Sequence, residues 1–396
     1  MNNKPRKGNF DVIVVGLGAV GSATVNHLAE LGVETLGIDQ FTPPHNKGSS
    51  HGETRITRQA SGEGSHLTSL ALRSIAIWQE LEERFSMSGL FTRTGLLAIS
   101  SPLSKARVHV DKFFDSTVAA ARENGIEHEV LDGSLLRDRF KQLKTTTDEV
   151  GYYEPGAGFL RPESCIEANL KAAASNGAQL NFDERVQSIK YGRIIEVQTD
   201  RDLYKTEKLI VSGGAWVNEL VPQLSKHFKI YRQVLYWFDI QKHYDRFKPD
   251  CFPVFIWEPT GVPWGIYGFP AIDGAGGGIK IAAEYLDNTI DSPEQLVREV
   301  QAEEETHMYE NYVAPFFDGV GRKCLKSSVC MYTVSPDSGF VVDRLPGEDN
   351  IWIASACSGH GFKHSAALGE ALADVVLSGR SAISLEHFML SRFNLK

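Results

Sequence analysis

Phe10-Asp11-Val12-Ile13-Val14-Val15-Gly16-Leu17-Gly18-Ala19-Val20-Gly21 is the stretch whose reading decides the fold. Phe10 to Val15 is a short β-branched run ending at a glycine, which predicts a buried strand. A helix follows from about Ala19 to Leu31, with Gly32 as its stop, and a second strand, Val33 to Ile38, ends at Asp39. Strand, glycine turn, helix and strand ending in an acid form one parallel βαβ unit. Gly16 permits the tight turn, Gly18 lets backbone approach a pyrophosphate, and Gly21 allows helix to pack closely on strand. The helix N-terminus then offers unpaired N–H groups and a positive dipole end. Asp39, twenty-three residues after Gly16, is placed to accept from a ribose hydroxyl. An acid there disfavours a 2′-phosphate, so FAD or NAD is preferred to NADP, and the motif leaves those two open.

The other end of the chain separates them. Cys330-Met331-Tyr332-Thr333 and Ser358-Gly359-His360-Gly361-Phe362-Lys363 bring a thiol, a phenol, an imidazole and an ammonium close together in sequence. An NAD enzyme needs little from its C-terminus. A flavin enzyme needs a second contact for the isoalloxazine, and a glycine turn opening a helix supplies it, because the dipole favours negative charge on the reduced ring. Gly359, Gly361 and the helix expected after them fit that role.

At 396 residues the chain is long enough for two joined domains. A net charge of −9 argues against nucleic acid or an anionic membrane as partner, so a small anionic substrate needs a local cationic pocket. Cys165, Cys251, Cys324, Cys330 and Cys357 are odd in number and form no CxxC, which suggests neither a disulfide framework nor a thiolate zinc site; no metal is expected. A reducing compartment fits, with cytoplasm the default. Residues 1–8 read as a frayed polar tail rather than a signal peptide, no apolar run reaches membrane-spanning length, and Asn394-Leu395-Lys396 is not the usual peroxisomal tripeptide.

Along the chain, residues 40–58 read as a loop, 67–85 as a helix with Leu70, Leu72, Ile75, Ile77 and Leu81 on its packed face, and 105–124 as another helix. Residues 151–159 read as a turn-rich crossing, and 173–210 as short strands ending in Lys208–Ser212, then Gly213-Gly214-Ala215-Trp216 and a helix. Aromatic, proline-rich 231–283 suits a sheet walling a substrate pocket; 294–312 reads as an exposed helix, and strands at 340–343 and 351–354 precede a helix from about Lys363.

With both glycine regions placed, the chain resembles the family of monomeric sarcosine oxidase, N-methyltryptophan oxidase and pipecolate oxidase nearly end to end. The anchors are the N-terminal turn, Pro43-Pro44-His45, the run Gly48-Ser49-Ser50-His51-Gly52-Glu53-Thr54-Arg55-Ile56-Thr57-Arg58, Tyr231-Arg232-Gln233, Tyr267-Gly268-Phe269-Pro270, the two C-terminal runs and Leu390-Ser391-Arg392-Phe393. The resemblance implies an α/β (α+β) flavoprotein with a discontinuous Rossmann-like FAD-binding domain (1–88, 150–226, 331–396) and a mixed-sheet substrate domain (89–149, 227–330). It implies FAD attached through a cysteine thioether, here Cys330, leaving Cys324 and Cys357 as free thiols. It implies a monomer whose partners are an amino acid substrate and O2.

Residue by residue, the resemblance makes Arg58 and Lys363 the clamp for the substrate carboxylate, a task suited to a guanidinium and an ammonium. Tyr332 and His360 fall beside the bound amine; His51 and Arg55 line the flavin, where fixed charge would ease attachment and reduction. Lys280, in a strand pattern, would hold a water near flavin N5 and supply positive charge where O2 is reduced. The implied reaction oxidises a secondary amino acid, N-methyl, N-substituted or cyclic, to an imine with O2 reduced to H2O2. One departure stands out: Glu284 occupies the place of a histidine in sarcosine-type members, four residues after Lys280 and so on the same strand face. It resembles the glutamate with which fructosyl-amine oxidases meet sugar hydroxyls, and equally suits a second substrate amino group. Ile266 stands where relatives often carry a tyrosine beside the pocket. A larger substrate than sarcosine is expected. The alternatives are a fructosyl-amino-acid (Amadori) oxidase, a flavin-binding subunit of a multimeric sarcosine oxidase, and an NAD-linked dehydrogenase.

Overall fold

The computed structural model describes residues 8–108 and 110–393. Most of the polar N-terminal tail and the tripeptide 394–396 lie outside the described residues. The predicted βαβ unit is present as strand Asn9–Val15, helix Ala19–Glu30 and strand Thr35–Ile38, with Gly32 at φ +75° ending the helix. These strands belong to a five-strand parallel array, Gln179–Asn181, Thr35–Ile38, Asn9–Val15, Leu203–Val211 and Ile351–Ser355, within an eight-stranded sheet. Alternation along the central strand feeds two cores. Val12 and Val14 pack with the helices Ala19–Glu30, Pro162–Ser175 and Ser365–Ser378, while Ile13 and Val15 pack with Ile195, Val197 and Leu224 on the other face.

A second, nine-stranded mixed sheet holds the long antiparallel pair Lys229–Ile240 and Val320–Val334, together with Ile279–Ala283, Ile266–Gly268, Val254–Trp257, Leu96–Ser100, Val150–Glu154, Glu129–Leu131 and Thr289–Ile290. One face carries an aromatic core that includes Phe247, Phe252, Phe255, Trp257 and Phe317. A small third sheet, Arg55–Thr57, Gly158–Leu160 and Phe91–Arg93, joins the two. The division at residue 150 falls at the start of a strand paired in the nine-stranded sheet, and that at 330 falls inside the continuous strand Val320–Val334.

Several expectations need correction. The helix read from 105 begins at Phe113 and runs to Glu123. The segment 294–312 is not one helix: a turn at Pro293–Gln295 and a seven-residue helix, Ala302–Met308, run into one wide turn, Tyr309–Val313. Residues 151–159 hold strand rather than only turns. In the helix Thr68–Arg84, Leu72 is 40% exposed and Trp78 takes the buried place beside Leu70, Ile75 and Leu81.

Phe255 is fully buried between Phe252 and Phe317, ring centroids 5.5 and 5.4 Å away. Phe255→Ala should lower stability by about 3–5 kcal/mol, read as an earlier urea midpoint with an unchanged slope.

Candidate active site

The carboxyl ends of the parallel strands open onto a cavity of about 720 Å³ whose wall includes Gly16, Gly18, Asp39, Gly359, Gly361 and Lys363, so both glycine turns face one space. Gly16 adopts φ +90°, and a Cβ on Gly21 would lie 1.8 Å from the Gly16 carbonyl oxygen. A Cβ on Gly18 would meet nothing within 4 Å, because this glycine faces the open channel. No side chain caps the N-terminus of the helix Ala19–Glu30. Asp39 accepts from the backbone N–H of Leu17 (2.7 Å) and of Phe41 (2.9 Å), which holds its carboxylate at the rim of the turn. At the C-terminal turn a Cβ on Gly361 would lie 1.7 Å from the Ala356 carbonyl oxygen. The uncapped helix, open glycine cradle and buried acid fit a dinucleotide such as FAD.

Strand parity then decides which side chains reach the site. In Lys229–Ile240, Val234, Tyr236 and Phe238 enter the aromatic core while Leu235 and Trp237 turn the other way. In Ile279–Ala283 the odd positions enter that core, and Lys280 and Ala282 share the face with Leu235, Trp237 and Cys330. Ile266 is corrected by the same rule: it is fully buried in the aromatic core, and its neighbour Tyr267 lines the cavity. The signal for Tyr267 was present in Tyr267-Gly268-Phe269-Pro270.

Lys280 is 3% exposed and donates from Nζ to the Gly52 oxygen (2.7 Å), the Thr54 oxygen (3.0 Å) and Thr54 Oγ1 (3.0 Å), with the rings of Phe269 and Trp237 at 4.5 and 5.3 Å. Burial, then the Arg55 charge, hold its pKa well below the ordinary lysine value. Arg55 lines the cavity and donates to the Thr54 oxygen (2.8 Å) and the Ser49 oxygen (2.7 Å). Cys330 is buried behind the wall; desolvation raises its thiol pKa, against the pull of Arg55 and Lys280. His51 lies behind the wall too, its Nδ1 3.4 Å from Ser328 Oγ and its buried Nε2 without a hydrogen-bond partner among the described residues. Burial, then Arg55, push its pKa down to about 3, so His51 is neutral and the fixed charge expected there belongs to Arg55.

The clamp pair meets, with a carboxylate between its members. Arg58 is 1% exposed, lies over the Phe113 ring and donates to the Ala60 oxygen and to Glu63 Oε2, both at 2.6 Å. Lys363 Nζ donates to Glu63 Oε1 (3.1 Å) and to the His360 oxygen (2.9 Å); burial pushes its pKa down to about 8. His360 stacks on Phe340, with Nε2 3.0 Å from the Ser338 oxygen and Nδ1 3.7 Å from Glu63. Sequence reasoning missed Glu63; a lone acid between two glycines, Gly62-Glu63-Gly64, was the available sign. Tyr332 and Tyr267 place their hydroxyls 3.3 Å apart on the cavity wall, and burial raises both phenol pKa values. Glu284, 7% exposed, lines the same cavity.

Residues 11–375 match the FAD dependent oxidoreductase family. The chain is 36% identical over 376 residues to the monomeric sarcosine oxidase of Streptomyces avermitilis, covering 94% of this chain and 95% of that protein. It is 32% identical to the N-methyl-L-tryptophan oxidase of Salmonella enteritidis, covering 97% and 99%. The solved structure of NikD, an unusual amino acid oxidase essential for nikkomycin biosynthesis, superposes with a TM-score of 0.81 at 20% identity over 97% of this chain and 98% of that one, which shows the shared fold. The chain belongs to the FAD dependent oxidoreductase family, among the relatives of monomeric sarcosine oxidase and N-methyl-L-tryptophan oxidase.

Two outcomes follow from the buried clamp. A simple carboxylate such as acetate should bind more weakly as pH rises through about 8, where Lys363 loses its proton, as followed by titrating the flavin absorbance. Glu63→Gln leaves Arg58 and Lys363 uncompensated, so it should destabilise the protein by about 3–5 kcal/mol. Acetate should restore more of the lost thermal midpoint in that variant than it adds to the wild type.

Proposed function

We propose that this FAD-dependent amine oxidase oxidises a secondary amino acid, N-methyl, N-substituted or cyclic, to the imine, with O2 reduced to H2O2. The observation that carries the reading is the buried triad Arg58, Glu63 and Lys363 on the wall of the cavity that both glycine turns face. Two cations and one carboxylate leave a single net positive charge, matched to one substrate carboxylate. The similarity to a monomeric sarcosine oxidase and an N-methyl-L-tryptophan oxidase supports an N-methyl amino acid.

Arg58 and Lys363 hold the substrate carboxylate by charge-assisted hydrogen bonds. Tyr332, Tyr267 and His360 orient the amine and exclude water around it. The amine must be unprotonated, because its lone pair drives loss of a hydride equivalent from the adjacent C–H. Bound FAD supplies the two-electron acceptor, which O2 reoxidises. Lys280, when protonated, favours the negative charge that O2 gains, and Arg55 adds positive charge beside it. Water then hydrolyses the imine, or a cyclic imine leaves intact. Activity should rise with pH as the amine deprotonates and fall as Lys363 deprotonates near 8, a bell.

Cys330 is the thiol assigned to covalent attachment, with Arg55 and Lys280 as the charges favouring its thiolate. The reading includes a cytoplasmic monomer; none of the five cysteines is paired in a disulfide, and no described helix is long and apolar enough to cross a membrane. Glu284 favours a second reading. Its buried carboxylate lines the wall opened by Tyr267 and Tyr332, where it suits the hydroxyls of a fructosyl amino acid or a second amino group.

A peroxide-coupled screen over sarcosine, N-methyltryptophan, pipecolate, proline and fructosyl amino acids tests the reaction and separates the two readings. Activity of the isolated chain excludes a role as a mere subunit, and no peroxide from any of them overturns the proposal. Acid precipitation should leave the yellow colour in the pellet of wild type and in the supernatant of Cys330→Ser. Lys280→Met should slow reoxidation of the reduced enzyme by about 10²–10³-fold while anaerobic bleaching by substrate changes little.

A further inference from the structure

All three of the Lys280 hydrogen bonds described above go to one tight turn, Gly52-Glu53-Thr54. That turn is strained. Gly52 has φ +96° and Glu53, which carries a side chain, has φ +72°. Gly52 adopts that conformation freely, but Glu53 does so at a cost and is kept there by surrounding contacts. One such contact comes from the helix Pro162–Ser175. Glu163, in the first turn of the helix Pro162–Ser175, accepts through Oε1 from the backbone N–H of Gly52 (2.7 Å) and of Glu53 (3.1 Å). The Thr54 carbonyl oxygen receives both Lys280 Nζ and Arg55 Nη1, so the same turn also fixes the second cation. A buried ammonium given only neutral acceptors tends to lose its proton, and a carboxylate one turn away opposes that.

We infer that Glu163 is a positioning residue: through the Gly52–Thr54 turn it sets the place of the Lys280 ammonium and helps keep it charged. This rests on the reading of Lys280 as the charge that assists O2 reduction. The groups bearing on Lys280 are Arg55, which disfavours its proton, and Cys330, Glu163 and Glu53, which favour it, with Phe269 and Trp237 covering it by their ring faces. Of the two glutamates, Glu53 is engaged by Lys326 at the surface, whereas Glu163 points its carboxylate at the turn itself.

The test is stopped-flow reoxidation of the reduced holoenzyme by O2 across pH, in wild type, Glu163→Gln, Glu163→Asp and Lys280→Met. Glu163→Gln should slow reoxidation by about tenfold, less than direct loss of the charged group, and should lower the pH at which the rate falls away. Anaerobic reduction by substrate should change less than reoxidation, since the turn reaches Arg55 but does not touch the carboxylate clamp. Reoxidation within about twofold of wild type with an unmoved pH midpoint overturns the inference. If Glu163→Gln does not accumulate as yellow protein, Glu163→Asp decides: it keeps the charge and shortens the reach, so a slower rate with a retained midpoint supports the inference and an unchanged rate refutes it. The two levels fail separately. An unaffected Lys280→Met removes the reading of Lys280, whereas a slow Lys280→Met beside an unaffected Glu163→Gln removes only the role of Glu163.

Discussion

Three cations, Arg58, Lys280 and Lys363, are taken almost wholly out of water; Arg58 and Lys363 line the cavity and Lys280 lies behind its wall. Removing a charge from solvent costs several kcal/mol even after relaxation, so the guanidinium must be surrounded by acceptors and each lysine must be so surrounded or surrender its proton. Much of the shape of residues 49–63 follows from that requirement. Carbonyls of Ser49, Gly52, Thr54 and Ala60 all turn towards guanidinium or ammonium groups, and the segment ends at Glu63, which spans the clamp. A stretch that carries so many inward-facing carbonyls cannot run as a regular strand for long. It forms only the three-residue strand Arg55–Thr57 between two irregular stretches.

The cations are satisfied in two different ways, and the difference matches two tasks. Arg58 and Lys363 share a carboxylate, which keeps charge in place for a partner that is itself an anion. Lys280 has carbonyl, hydroxyl and ring-face neighbours, with carboxylates only at one remove. Its charge is thus held less tightly and responds more to whatever approaches. Burial lowers the pKa of both lysines, but the Glu63 contact limits the fall for Lys363.

What was legible in the sequence was local. The strand, glycine turn, helix and acid at Phe10–Asp39 depend on neighbours in the chain, and they stand as read. The C-terminal turn at Gly359–Lys363 does too, and both face one cavity. Facing was less legible. Ile266 and Tyr267 are both large and adjacent, and only pairing with Val254–Trp257 and Ile279–Ala283 decides which of them enters the aromatic core. Glu63 escaped for a related reason. Its partners Arg58 and Lys363 lie five residues before it and three hundred after it, and no periodicity links a loop acid to a distant lysine. The helix expected across 294–312 is interrupted before Ala302, where Arg232 takes the carbonyls of Val297 and Glu299 that a helix would use itself. Packing rather than helical propensity shapes that stretch.

The same parity that misplaced Ile266 gives Glu284 its meaning. Positions 280 and 282 share the face turned to Cys330, Leu235 and Trp237, while 279, 281 and 283 go to the core. Continuing that alternation puts Glu284 on the site side just past the strand end, and it lies on the cavity wall. The cavity therefore presents two carboxylates in different circumstances. Glu63 is committed to Arg58 and Lys363 and balances the clamp. Glu284 also bears electrostatically on Lys363, Tyr267 and Tyr332 from another part of the wall. A small N-methyl amino acid uses only the first arrangement. On the proposed reading, a substrate that extends hydroxyls or a cation towards Glu284 would use both, and that second contact would be the one that tells it from a small N-methyl amino acid.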